Sequence, residues 1–266
     1  MKVYWHVMKV GIQNTLVYRV NFLIRAGFSL VPLMATITIW RAIYGGSGQA
    51  FEGYTLSKMI SYYLIVLIID ALTGVVDDDW QVAADIREGN ISQFLLKPIN
   101  YLYYRLCLYG AGRLVYASVA AIPIALFLLF YRGSLYIPAN GLTWVCFGVS
   151  LLMAAMLQFL ISYTMALLAF WLLEVSTLIL MLFALEYLAG GHMFPLDLLP
   201  AWIATLLAWT PFPYELYLPA GIYLEQITGM AMVKGLGLQA LWVLIIYAIA
   251  QGVWQRGVKH YSAFGG

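Results

Sequence analysis

Long apolar runs separated by short polar interruptions dominate this chain, and their lengths predict membrane helices. Six runs reach the roughly 20 largely apolar residues that a helix needs to cross a bilayer: 22–43, 57–77, 106–131, 141–166, 171–190 and 235–255. The fourth and fifth come from one nearly unbroken run, Gly141 to Leu185, and a turn near Phe170–Glu174 is expected because Glu174 is its only charge. Pro32 and Pro123 fall inside the first and third runs, where a lone proline is tolerated as a kink. Residues 1–21 follow a different period. Lys2, His6, Lys9 and Gln13 form one polar stripe, with Trp5 and other apolar residues on the remaining faces, which predicts an amphipathic helix lying in the membrane interface.

Two polar or broken stretches interrupt the pattern informatively. From Asp85 to Pro98, Gly89 and Asn90 signal a helix end and Pro98 a second stop, while Ile91, Phe94 and Leu95 put one apolar face on a short helix between them. Such a helix could dock another protein or rest on lipid headgroups. From 191 to 234 the chain stays greasy but holds five of its nine prolines. Apolar pieces of 10–14 residues between breakers predict a re-entrant helix-turn-helix rather than a crossing; Gly191, Phe194, Pro195, Pro200 and Trp202 are its marker residues.

Composition agrees with lipid as the solvent. Of 266 residues, 64% are hydrophobic and only 10% charged, with a mean hydropathy of +0.86; a soluble domain carries about 25% charged residues. The first apolar run lacks the cleavage pattern of a signal peptide. Cys107 and Cys146 lie inside apolar runs and read as two buried thiols rather than a disulfide framework. With the N-terminus inside, ten of the 14 Lys and Arg residues fall on the inner side, among them Arg87, Lys97 and Arg105, which predicts cytoplasmic termini and a cytoplasmic Asp85–Pro98 turn. The basic residues are spread rather than clustered, so no nucleic-acid partner is implied.

The signatures of catalysis and metal binding are poor. The three histidines sit on different segments without a second ligand at metal spacing, and the glycine-rich runs lack the Lys-Ser/Thr of a phosphate-binding loop. Charges within apolar runs are the functional suspects: Arg25, Asp70, Arg113 and Glu186. Asp70 lies about 10 Å of helix before Asp77, and the Asp77–Asp79 run marks where the second crossing meets cytosol. A clamp between Asp70 and either Arg25 or Arg113 is expected; Glu186 is placed to cap the re-entrant segment or serve a gate.

Taken with the run Arg87-Glu-Gly-Asn-Ile-Ser-Gln-Phe-Leu-Leu-Lys-Pro-Ile99 and Gly191-His-Met-Phe-Pro-Leu-Asp-Leu-Leu-Pro-Ala-Trp202, the whole chain resembles the ABC-2-type permeases, within the branch of poorly characterised bacterial permease components. That resemblance implies an all-α integral membrane protein. It has an N-terminal interfacial helix (1–21) and a six-span permease domain (22–266), with a coupling-helix loop at 80–100 and a re-entrant outer segment at 191–234. It implies half of a dimer, paired with itself or a sister permease, each half seated on a separate P-loop ATPase that carries ATP and Mg²⁺; this chain binds no cofactor and catalyses nothing itself. The ATPase would be met by Asp85, Arg87, Glu88, Gly89, Asn90, Ile91, Phe94, Leu95, Lys97 and Pro98, with the helix of Lys2, Trp5, His6 and Lys9 bracing it. Dimer contacts would involve the first and fifth spans, and the setting would be the bacterial cytoplasmic membrane with surrounding lipids. The outer loops between the first and second and the third and fourth spans are short, so no large external domain captures cargo. The competing reading is a polytopic scaffold or lipid-modifying protein with no ATPase.

Overall fold

The computed structural model describes residues 2–47, 53–75 and 78–261; Asp77 and the end of the expected second crossing lie outside them. Among the described residues every regular element is helical. In chain order these are α1 (Lys2–Leu16), α2 (Arg19–Ser47), α3 (Leu56–Thr73), α4 (Asp78–Arg87), α5 (Ile91–Leu95) and α6 (Tyr101–Tyr131). They continue as α7 (Gly141–Ala166), α8 (Ser176–Ala189), α9 (Ala201–Ala208), α10 (Tyr217–Tyr223) and α11 (Gly229–His260).

Among the described residues, five helical stretches are long and apolar enough to cross a membrane: Arg19–Gly45, Leu56–Thr73, Tyr101–Tyr131, Gly141–Phe170 and Gly229–His260. Hydropathy located them, but caps set their ends. The Asn100 side chain accepts the Tyr103 amide at 3.3 Å, so α6 starts five residues before the apolar run does. Thr55 likewise accepts from the Lys58 amide and starts α3. The fifth expected crossing, 171–190, does not form a membrane-length helix. Its helix α8 has only 14 residues, about 21 Å of rise against a hydrocarbon core of about 30 Å. The preceding break is where Glu174 predicted it. A 3₁₀ turn, Leu167–Phe170, ends α7, and the Glu174 carboxylate accepts the Ser176 amide at 2.8 Å.

α3 is the buried axis of the fold. Met59 to Val66 is buried without interruption, including Tyr62 and Tyr63, because α2, α6, α7 and α10 pack around it; a helix apolar on all faces belongs in such a place. α2 and α8 instead leave apolar faces open, Ile24, Phe28 and Val31 on one and Leu180, Met181, Leu185 and Leu188 on the other. α1 lies along α6. Gly11 permits the approach, since a Cβ there would meet that of Ala111 at 3.0 Å, and the Asn100 amide donates to the Tyr4 hydroxyl at 3.1 Å. Lys2, Trp5, His6 and Lys9 remain exposed on its outer faces. The two cysteines are free and half-buried rather than fully buried.

Contacts between elements define two ends. At one, Ser92 Oγ and Tyr261 Oη share a hydrogen bond at 3.0 Å, and Arg87 donates to the Leu173 carbonyl at 3.4 Å. The Tyr109 hydroxyl donates to the Thr73 carbonyl there. This end therefore gathers α1, α4, α5, the start of α6, the end of α7, the start of α8 and the end of α11. At the other end Tyr136, Thr143 and Glu225 meet.

Candidate functional site: a docking turn and a buried polar cluster

The turn between α4 and α6 is backed by its own protein. α4 ends as the Glu88 amide donates to Ala84 O at 2.8 Å, and Gly89, at φ +81°, supplies the left-handed step that a side chain would strain. Asp85 accepts from the Tyr101 hydroxyl at 2.7 Å and faces Arg105 at 3.9 Å; Arg105, itself buried, donates to Gln81 at 3.3 Å. Asn90 donates to Glu88 at 3.2 Å. Phe94 stands between Tyr101 and Tyr104, with ring centroids 5.0 and 4.8 Å away, and Lys97 Nζ sits 5.7 Å from the Phe94 ring.

This geometry corrects which residues face outward. Ile91 is 0% exposed, packed with Val82, Ala83 and Ile86 against Tyr101 and Phe170, and Phe94 is half-buried on the tyrosines. Asp85 is likewise engaged inside the fold. Leu95 at 43%, Leu96 at 88%, Lys97 and Pro98 form the protruding tip. Leu96 escaped the sequence reading because it lies off the i, i+3, i+4 face. That periodicity identifies an apolar face but not whether its own chain already covers it. A cavity of about 490 Å³ opens beside the turn, bordered by Arg87, Glu88, Gly89, Ser92, Leu172 and Tyr261.

The second site surrounds the end of α8. Asp70 meets His192 Nε2 at 3.1 Å, not the expected arginines; Arg25 and Arg113 line a cavity of about 210 Å³ on another side of Asp70. The His192 ring stacks on Tyr187 at 5.2 Å. Glu186 is buried here, as is Glu215, which the sequence reading passed over. The Gly190–Asp197 segment climbs α3 by a ladder of tyrosines. Tyr62 donates to Gly191 O at 2.6 Å, Tyr63 to Met193 O, and Tyr54 to Asp197 at 2.8 Å; Tyr217 also donates to Asp197. Gly191, at φ +98°, lets the backbone reach Tyr62, whose hydroxyl would lie 2.7 Å from an added Cβ. Pro195 opens the 3₁₀ turn Leu196–Leu198 and Pro200 precedes α9, on which Trp202 is exposed; Phe194 is half-buried. The 3₁₀ turn Phe212–Tyr214, which precedes the buried α10, is held to α11 and α7 by Gln239 of α11, which donates to the carbonyls of Tyr214 at 2.7 Å and of Ser150 at 2.9 Å. None of the tyrosines, nor Asp197 or Gln239, carried a signal in the sequence, since each pairs with a residue far along the chain.

At the opposite end Glu225 accepts from Tyr136 and, at 3.0 Å, from Thr143, tying the α10–α11 turn to the start of α7. These hydrogen bonds, Tyr136's first, hold the Glu225 carboxyl below its ordinary range, and reciprocally raise the Tyr136 phenol to about 12.

Among the described residues, five long apolar helices, one of them the buried axis α3, with a supported turn at one end and no strand, define a polytopic helical membrane protein. Residues 30–265 match the ABC-2 family transporter proteins, and the chain belongs to that family. It is the membrane permease component of an ABC transporter. No curated protein matches it.

Proposed function

We propose that this chain is one half of a dimeric ABC exporter, driven by a separate ATPase that binds ATP and Mg²⁺ and docks on the tip Leu95-Leu96-Lys97-Pro98. The observation that carries the reading is the construction of that tip. Two leucines and a lysine project from a turn that Ile91, Ser92 and Phe94 hold against α4, Tyr261 and α6, so a push on the tip is transmitted rather than absorbed. Glu88 and Arg87 flank the tip, and α1 braces it through α6.

In this reading the docking end is cytoplasmic, as the distribution of Lys and Arg favours, and both termini lie there. The chain crosses six times. The fifth crossing is discontinuous: α8 rises to the middle of α3, and the Gly190–Asp197 segment completes the passage along the tyrosine ladder. Irregular backbone is tolerated at that depth only when it is buried in protein or lines a cavity, and Tyr62, Tyr63 and Tyr217 provide the cover. Residues 199–228 then form the re-entrant outer segment. A second permease, identical or a sister, covers the open faces of α2 and α8.

The test is retention of the ATPase by the tagged permease purified from membranes. Leu95→Asp with Leu96→Asp is expected to lower the co-purified ATPase and transport at least tenfold while insertion is unchanged. Undiminished ATPase binding in that variant, or full transport by the permease without any ATPase, overturns the proposal.

A further inference from the structure

Where α1 turns into α2, the structure holds a cavity of about 540 Å³ that neither the docking turn nor the α8 cluster uses. Asn14 and Tyr18 form one wall, Arg25 of α2 a second, Gln81 of α4 the floor, and Arg113 and Tyr116 of α6 the third. Arg25, Arg113 and Tyr116 also border the adjoining 210 Å³ chamber, so two guanidinium groups stand on the partition between the two spaces. Arg113 lies over the Tyr116 ring at 5.3 Å, and Tyr116 meets Phe22 edge-on at 5.4 Å.

Arg25 presents the physical problem. It is an exposed guanidinium about two turns into a membrane-length helix, and among the described residues it has neither an ion-pair nor a hydrogen-bond partner. A cation at such a depth is costly unless it meets an anion or reaches the interface. Asp70, a carboxylate that lines the adjoining chamber, is engaged by His192. Val17, Phe22 and Leu108 also line the cavity, and Val17 is exposed, an apolar rim suited to acyl chains rather than water. Two guanidiniums, amide donors from Asn14 and Gln81, and the apolar rim of Val17, Phe22 and Leu108 match a phosphate-bearing headgroup and the start of its chains. Basic pockets between helices at the cytoplasmic leaflet take such headgroups.

We propose that this cavity binds the phosphate headgroup of an anionic phospholipid of the inner leaflet, wedged between α1, α2 and α6. The lipid neutralises Arg25 and holds the interfacial helix against the bundle. The proposal rests on the sidedness given above, which the experiment checks separately.

The full-length chain is purified in mild detergent, with whatever subunits accompany it, and bound lipid is counted by native mass spectrometry after adding phosphatidylglycerol or phosphatidylcholine. The wild type is expected to retain one phosphatidylglycerol per chain and no phosphatidylcholine. Arg25→Gln with Arg113→Gln is expected to lower that occupancy at least tenfold, and Arg132→Gln at the other end to leave it unchanged. If the double variant does not fold, Arg25→Gln alone is compared with Arg25→Lys for the rise in Tm on adding phosphatidylglycerol, a rise expected to vanish in the first and persist in the second. Equal lipid retention or an equal Tm rise in wild type and Arg25→Gln overturns the proposal. So does an equal effect of inorganic phosphate on delipidated protein, which would assign the site to a free anion. Labelling of Asn14→Cys by an impermeant thiol reagent from outside the cell would overturn the sidedness, while the lipid count, made on the wild type, stays interpretable.

Discussion

Ile91 and Leu96 belong to the same short turn yet do opposite work, and substitutions separate them. Ile91→Ala empties a filled position between α4 and α6, and a loss of about 2–5 kcal/mol of stability is expected. It would be seen as a lower thermal midpoint in detergent, with ATPase binding per folded molecule retained. Leu96→Asp changes a side chain that touches little of its own protein, so the midpoint should hold while ATPase binding falls. Gly191 has a different sensitivity. At φ +98° and facing Tyr62, its replacement by Ala combines backbone strain with a collision, costing roughly 1–3 kcal/mol. Urea or thermal unfolding of Gly191→Ala measures this, and an unchanged midpoint would mean that the segment is not held against α3.

Glu225 adds a pH dependence whose sign follows from its depressed pKa. A carboxylate stabilised in the folded state contributes fully above the ordinary carboxylate range, and the contribution disappears as pH falls through the lowered folded value. Glu225→Gln should therefore lower the thermal midpoint at neutral pH, and the gap from wild type should close on acidification. A gap that widens as the pH falls would contradict the assignment of Tyr136 and Thr143 as donors to a charged carboxylate.

At the scale of elements, α8 and the ladder along α3 form the unit whose behaviour the hydrogen bonds predict. Tyr62→Phe with Tyr63→Phe removes two bonds to the carbonyls of Gly191 and Met193, at about 1 kcal/mol each. Hydrogen exchange should quicken across Gly190–Asp197, while α3, packed on every side, keeps its protection. Faster exchange throughout α3 would instead show that the tyrosines support the axis itself. The 14-residue length of α8 follows from the same arrangement. Gly190 and Gly191 end the helix where Tyr217 and Tyr62 satisfy the freed carbonyls, the Tyr217 amide donating to Gly190 O at 3.1 Å. Hydropathy read that stretch as one membrane-length helix because apolar residues continue up to the glycines, and a window average does not register where a helix ends.

For the whole molecule, the amino-acid sequence by itself determined the solvent, the number of long apolar helices to within one, and the class of protein. Those depend on composition, run length and local stops, which are properties of neighbouring residues: Glu174 marked the break after α7, Gly89 the end of α4, and the Arg87–Ile99 run the family. The tertiary structure alone decided what each polar group faces. Asp70 found His192 rather than Arg25 or Arg113, Ile91 turned inward, and Tyr54, Tyr62 and Tyr63 met a segment more than a hundred residues away. A side chain's period along a helix specifies a direction around that helix. What stands in that direction is set by how α3, α6 and α8 pack against one another, and no local pattern in the chain contains it.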